Sequence, residues 1–172
     1  GGGFQPRRDP VDWNYIYARS QFGNLSRFDR TTGRSTFIRP GGRGGTQNPV
    51  AGVEKDNGND RANWDAPYII SPHSNTRLYW ATQYLYRTDD RGATWARVSG
   101  DLTRRLDRTK LEIMGRVWPE GSVALHESTT DLSNIVALDE SPLMEGLLYI
   151  GTDDGLLQIS EDGGKTWRKS QD

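Results

Sequence analysis

The 172-residue chain contains no cysteine, two histidines, two methionines and no apolar run close to the ~20 residues of a membrane span. Without cysteine there is no disulfide framework and no thiolate zinc site. The histidines, His73 and His126, lie far apart with no His-Glu-x-x-His spacing, so zinc chemistry is unsupported and no metal or other cofactor is expected. His73 follows Ser71-Pro72 and reads as a turn residue. A Gly-x-Ser-x-Gly nucleophile elbow is absent. Residues Gly1 to Pro10 lack the apolar core of a signal peptide. A net charge of −1 leaves no overall positive excess for nucleic acid. The balance hides an asymmetry: Gly1 to Gly45 carries eight arginines against three acids, and Pro119 to Asp172 eleven acids against three bases. The two ends should attract each other.

Only 33 % of residues are hydrophobic, yet aromatics reach 10 % and there are twenty glycines. That combination calls for short strands joined by many tight turns, with aromatic and β-branched residues forming the core.

Two octets repeat. Leu78-Tyr79 followed by Thr88-Asp89-Asp90-Arg91-Gly92-Ala93-Thr94-Trp95 recurs as Leu148-Tyr149 followed by Ser160-Glu161-Asp162-Gly163-Gly164-Lys165-Thr166-Trp167. Both read [Ser/Thr]-x-Asp-x-Gly-x-Thr-Trp. At this spacing the Asp (Asp90, Asp162) can accept from backbone N–H groups ahead of it, and the hydroxyl of Thr88 or Ser160 braces the bend. Gly92 or Gly164 supplies the unusual dihedral. Trp95 or Trp167 opens the next strand and packs on a neighbouring sheet. A degenerate copy occupies the front, where Ile16-Tyr17 and Gly23-Asn24-Leu25 align with Leu148-Tyr149 and Gly155-Leu156-Leu157. Its box has decayed to Asp29 through Phe37, with Phe replacing Trp.

The octets resemble the Asp-box, or BNR repeat, of sialidases, sortilin-type receptors and large bacterial propellers labelled glycosyl hydrolases. The resemblance covers Trp13 to Lys169. It implies an all-β propeller segment of about three four-stranded blades, an export location in periplasm or extracellular space, and Asp90 and Asp162 in structural turns away from the channel. Three blades do not close a ring that normally needs about four to eight. The remaining blades are therefore expected from the same or another chain.

The repeats divide the chain into a blade at 11–40, a long loop at 41–65, a blade at 66–100, an insertion at 101–132 and a blade at 133–170. The strands read Asn14 to Arg19, Leu25 to Asp29 and Ser35 to Ile38, with no clear innermost strand in the first blade. The middle blade reads Pro67 to Ile70, Arg77 to Thr82, Tyr84 to Thr88 and Thr94 to Val98. The last reads Asn134 to Ala137, Leu147 to Gly151, Leu156 to Ser160 and Thr166 to Lys169, with Asp153-Asp154-Gly155 as its hairpin turn.

Ligand chemistry is expected in the long loop, at Arg61-Ala62-Asn63-Trp64-Asp65. Trp64 can stack on a sugar ring or peptide side chain while Arg61, Asn63 and Asp65 orient it. The competing reading has Trp64 filling a gap between blades and Asp65 capping a turn before Pro67. Gly41-Gly42-Arg43-Gly44-Gly45 lacks the following Lys-Ser/Thr and helix of a phosphate loop and reads as flexible linker. Asp101 to Lys110 reads as a charged short helix or loop outside the blades. Glycoside hydrolysis needs two carboxylates about 5–9.5 Å apart, for which Asp65, Glu120 and Glu127 are the loop candidates, Asp65 being the weak catalytic candidate. No Phe-Arg-Ile-Pro motif supplies the first arginine of a sialidase site. The leading expectation is a non-catalytic binding or scaffold part that recognises peptide or glycan at the channel mouth. The alternative is part of a polysaccharide-acting glycoside hydrolase with its other catalytic residues elsewhere.

Overall fold

The computed structural model describes residues 5–41, 50–51, 60–123 and 131–170. His126, Glu127 and Gly42 to Gly45 lie outside the described residues. The described chain is all-β, in three main antiparallel sheets joined in chain order.

The first sheet is β1 (Gln5–Arg8), β2 (Tyr15–Arg19), β3 (Leu25–Asp29) and β4 (Arg34–Phe37), in that order. It has an innermost strand that the sequence did not reveal. Gln-Pro-Arg-Arg is exposed along its whole length and so carries no apolar alternation. The strand is fixed from outside: the Tyr68 hydroxyl donates to the Gln5 carbonyl at 2.6 Å, and Arg7 lies 5.7 Å over the Tyr68 ring. Pro6 is tolerated because the strand is an edge.

In the second sheet β5 (Val50–Ala51) runs parallel to the outer strand of β6 (Tyr68–Ile70), β7 (Leu78–Ala81), β8 (Leu85–Thr88) and β9 (Trp95–Arg97). This fifth strand is also an addition to the expected four; two residues within a loop show no period. The insertion after β9 contains no α-helix among its described residues. It holds a 3₁₀ turn at Arg108–Lys110 and a small hairpin of β10 (Glu112–Ile113) and β11 (Arg116–Val117). Nor is its first stretch simply solvated: Leu102 is buried in the core, and its carbonyl accepts from Gln158 Nε2.

The third sheet is β12 (Ile135–Glu140), β13 (Leu148–Thr152), β14 (Leu157–Ser160) and β15 (Arg168–Lys169). β12 continues three residues beyond the expected Ala137, with a register shift between Ile135 and Ala137. Trp167 sits just ahead of its strand rather than in it.

Strand period two explains how the sheets stack, because successive side chains leave opposite faces. Leu78 and Trp80 of β7 join Tyr17, Leu25 and Ile38 of the first sheet in one core. Tyr79 and Ala81, the alternate residues, join Ile135, Leu148 and Ile150 of the third sheet in another. The middle sheet is thus covered on both faces, and β7 reads as a continuous apolar run.

Candidate functional site

The two octets fold into the same turn. Thr88 Oγ1 donates to Asp90 at 2.7 Å and accepts from Gly92 N, while Asp90 accepts from Thr94 N at 2.8 Å and Thr94 Oγ1 at 2.5 Å. Ser160, Asp162, Gly164 and Thr166 repeat every one of these bonds, at 2.8, 2.8, 2.9 and 2.6 Å in the same order. These acids hold bends, with their acceptor positions filled by the turn itself. Trp95 Nε1 donates across to the Ile38 carbonyl at 2.7 Å, joining second sheet to first, whereas Trp167 Nε1 turns back on Gly164 O at 2.8 Å. The front copy has lost the brace; Asp29 at the strand end accepts from Thr31 N and Thr32 N instead.

Hydrogen bonds from Thr166 and Ser160 bring the Asp162 carboxyl down to about 2. At Asp90 desolvation pushes upward, but the bonds from Thr94 and Thr88 outweigh it and the shift is downward. A carboxyl depressed in the folded state stabilises fully above its unfolded value, here 3.8, and that stabilisation disappears as pH falls through the folded value. Acid titration of urea stability is therefore expected to show a decline between about pH 3.8 and pH 2 that is shallower in Asp162→Asn. An unchanged slope in that variant would remove the assignment.

In an antiparallel meander the octet turns lie at one end of each sheet and the β2–β3, β7–β8 and β13–β14 reversals at the other. The Arg61 to Asp65 loop joins this second end. Arg61 N donates to Gln83 Oε1 at 2.8 Å, and its guanidinium reaches Asp101 Oδ2 at 3.1 Å and the Ser133 carbonyl at 3.2 Å. Arg61 thereby ties the second sheet to the entry of the third. Asn63 closes an Asx turn, accepting from Asp65 N at 3.0 Å. Asp65 pairs with Arg19 Nη2 at 3.1 Å; the Arg19 side chain is 3 % exposed and that of Asp65 63 %. Arg19 Nη1 also donates to the Ala66 carbonyl at 2.8 Å. The polar members of the loop are therefore engaged in holding it, with Asn63 closing the turn and Asp65 pairing with Arg19 rather than capping that turn itself.

Trp64 differs. It is half-buried, its carbonyl accepts from Phe22 N, and its ring meets Phe22 edge-on with centroids 5.1 Å apart. Phe22 was not recognised in the sequence. It stands at φ 58° in the β2–β3 reversal and is 42 % exposed. A left-handed phenylalanine is a strained choice for a loop, and the Gly23-Asn24 pair beside it was the available signal. Nearby, Tyr86 donates to both Asp60 oxygens at 2.9 and 2.7 Å; burial first, then Asp60, pushes its hydroxyl up. Arg97 lies 4.3 Å over Tyr84 and Arg39 lies 5.6 Å over Trp80.

The other sequence candidates fall elsewhere. Asp153 accepts from Ser133 N and Asn134 N, and Asp154 from Thr152 Oγ1 and Arg104 N, so this turn anchors the insertion. His73 Nε2 contacts the Ser141 carbonyl at 2.8 Å, a link between second and third sheets at the octet end. Glu120 is exposed on the insertion. Among the described residues no group of three or more His, Cys, Asp or Glu is placed to hold a metal ion, and no helix is long and apolar enough to cross a membrane.

Three sheets, each containing a four-stranded meander, with the octet turns of the second and third at one end, define a β-propeller segment. Two solved structures share this architecture. One is the GH74 xyloglucanase from Xanthomonas campestris, at 16 % identity and TM-score 0.55, matching 96 % of this chain and 22 % of that one. The other is the GH74 enzyme from Niastella koreensis, at 16 % identity and TM-score 0.55, matching 100 % of this chain and 22 % of that one. At such identity the likeness establishes the fold alone, and this chain spans less than a quarter of either neighbour's length. No family model and no curated protein matches the sequence.

Proposed function

We propose that the chain is a non-catalytic, glycan-recognising segment of a larger exported Asp-box propeller, gripping its ligand at the loop end beside Trp64. The carrying observation is the Phe22–Trp64 pair, two aromatic rings held edge-to-face at 5.1 Å on the end of the sheets away from the octet turns. Pyranose rings stack on such faces, and a few fixed polar groups orient them. Arg61, Asn63 and Asp65 hold the loop that carries Trp64 and supply polar groups around it. The xyloglucanase among the fold neighbours makes a β-glucan the first ligand to try.

Xyloglucan is expected to retard the chain in affinity electrophoresis, and Trp64→Ala to weaken binding about tenfold, matching the ~1.5 kcal/mol of a good aromatic contact. Equal retardation of wild type and Trp64→Ala, or none of either, would exclude this reading. Peptide recognition by the same surface would appear as saturable binding of peptides and none of glycans.

The second reading is part of a polysaccharide-acting glycoside hydrolase. It is favoured by the exposed position of Asp65 next to Trp64. Release of reducing ends from xyloglucan that disappears in Asp65→Asn would put it first.

A further inference from the structure

Two arginines make the same clamp at successive sheet entries. Arg19 donates from Nη1 to the carbonyl of Ala66, two residues before β6, and from Nη2 to Asp65 Oδ1. Arg61 donates from Nε and Nη2 to the carbonyl of Ser133, two residues before β12, and from Nη2 to Asp101 Oδ2. Each guanidinium fixes the chain as it enters an innermost strand, and each pairs with one carboxylate.

The two clamps are turned opposite ways. At the second the carboxylate is inside, the Asp101 side chain being 5 % exposed and that of Arg61 30 %. At the first the arginine is inside and the Asp65 carboxylate faces out. Their acceptor capacities differ as well. A carboxylate has about four lone-pair positions. Asp101 fills them, accepting from Thr103 N, Thr103 Oγ1, Arg61 and Arg105. Asp65 accepts from Arg19 on Oδ1, and among the described residues nothing donates to Oδ2. A clamp that only holds the chain needs no spare acceptor, and burying the guanidinium instead of the carboxylate brings no advantage in stability. The spare oxygen stands on the residue next to Trp64. Arg19 reaches both sides of the aromatic pair: it lies three residues before Phe22 in the chain and grips the two residues that follow Trp64.

We propose that Asp65 is the hydroxyl-reading residue of the glycan site, its Oδ2 accepting from the sugar stacked on Trp64, and that Arg19 is its positioning residue. A carboxylate accepts and cannot donate, so the ligand class is a glycan with free hydroxyls beside the stacked ring. A glycan whose hydroxyls are capped as ethers or esters sets one acceptor against another and loses the contact. With Oδ1 tied to a buried guanidinium, the direction of Oδ2 is set before the ligand arrives, which lowers the ordering cost of binding. The inference rests on the glycan reading of the Trp64 rim.

The test is affinity electrophoresis of the full chain in xyloglucan and in O-methylated xyloglucan, which keeps the ring faces and caps the hydroxyls. The wild type is expected to bind the unmodified polymer about tenfold more tightly, the size of one charge-assisted hydrogen bond. Asp65→Asn, which keeps the side-chain shape, should bind xyloglucan about tenfold more weakly and lose most of that preference. Arg19→Lys keeps the charge without the fork; it should weaken binding alone and add nothing in the Asp65→Asn background. Near-UV circular dichroism of the Phe22–Trp64 pair, unchanged in Asp65→Asn, separates loss of the acceptor from loss of the platform. The wild-type comparison of the two polymers needs no variant and decides the matter even where Arg19→Lys fails to fold. Equal binding of both polymers by the wild type, or Trp64-dependent binding that is unchanged in Asp65→Asn, overturns this inference and leaves the glycan reading standing. Absence of any Trp64-dependent binding overturns both. A further loss from Arg19→Lys on top of Asp65→Asn removes the positioning role of Arg19.

Discussion

Replacing Trp80 with alanine is expected to lower the unfolding free energy by about 3–5 kcal/mol, the range for removing a large aromatic from a packed core. Trp80 is fully buried between first and second sheets, with Tyr86 5.3 Å away. Its indole donates to the Gly23 carbonyl at 3.0 Å, so truncation also leaves a buried acceptor without its donor. Urea denaturation followed by circular dichroism measures the change. Trp13, 59 % exposed over Arg8, provides the contrast: Trp13→Ala should cost no more than about 1 kcal/mol, the size of an exposed cation–π contact. Equal losses from the two variants would mean that the sheet interface is not the stabilising core.

Gly92→Ala carries the second large effect, about 2–5 kcal/mol. Gly92 stands at φ +83°, and a Cβ there would lie 2.7 Å from Ile38 Cδ1 and 2.9 Å from Ile38 Cβ. The first contribution is left-handed backbone strain of ~1–2 kcal/mol; the second is overpacking of ~1–3 kcal/mol against a branched side chain held in the core. Gly33 separates them. It stands at φ +68° with nothing within 4 Å of its Cβ position, so Gly33→Ala should lose only the strain. Thermal or urea unfolding of the pair gives the difference directly. If both alanine variants lose the same amount, the octet turn of the second sheet is not pressed against the outer strand of the first.

Trp80, Gly92 and Tyr68 all work across a sheet boundary, and the sequence was least informative there. The octets were legible because their bonds are local: Asp90 reaches only four residues ahead to Thr94, and Asp162 to Thr166. Sequence spacing is then nearly the same thing as geometry. The strands of the second and third sheets were legible from the repeat and from the Gly, Pro and Asp turn residues around them. β1 was not, since Gln5–Arg8 has no apolar pattern and is held by a hydroxyl 63 positions away. The candidate loop shows the same division. Its Asx turn at Asn63 could be read from Asp65 two residues on, but the partners of Arg61 are Gln83, Asp101 and Ser133, and that of Asp65 is Arg19. Phe22 belongs beside Trp64 only because two reversals, 42 positions apart, end at the same rim.

From its sequence alone the chain specifies three meandering sheets, the turns that staple them and which tyrosine stands at each repeated place, because these depend on contacts within a few residues and on the two-residue alternation of strands. Stacking of the folded sheets alone decides which of the equivalent tyrosines is covered, which arginine anchors the Asp65 loop and which ring stands exposed beside Trp64. Those outcomes depend on neighbours tens of residues distant, and no local preference of the chain encodes them.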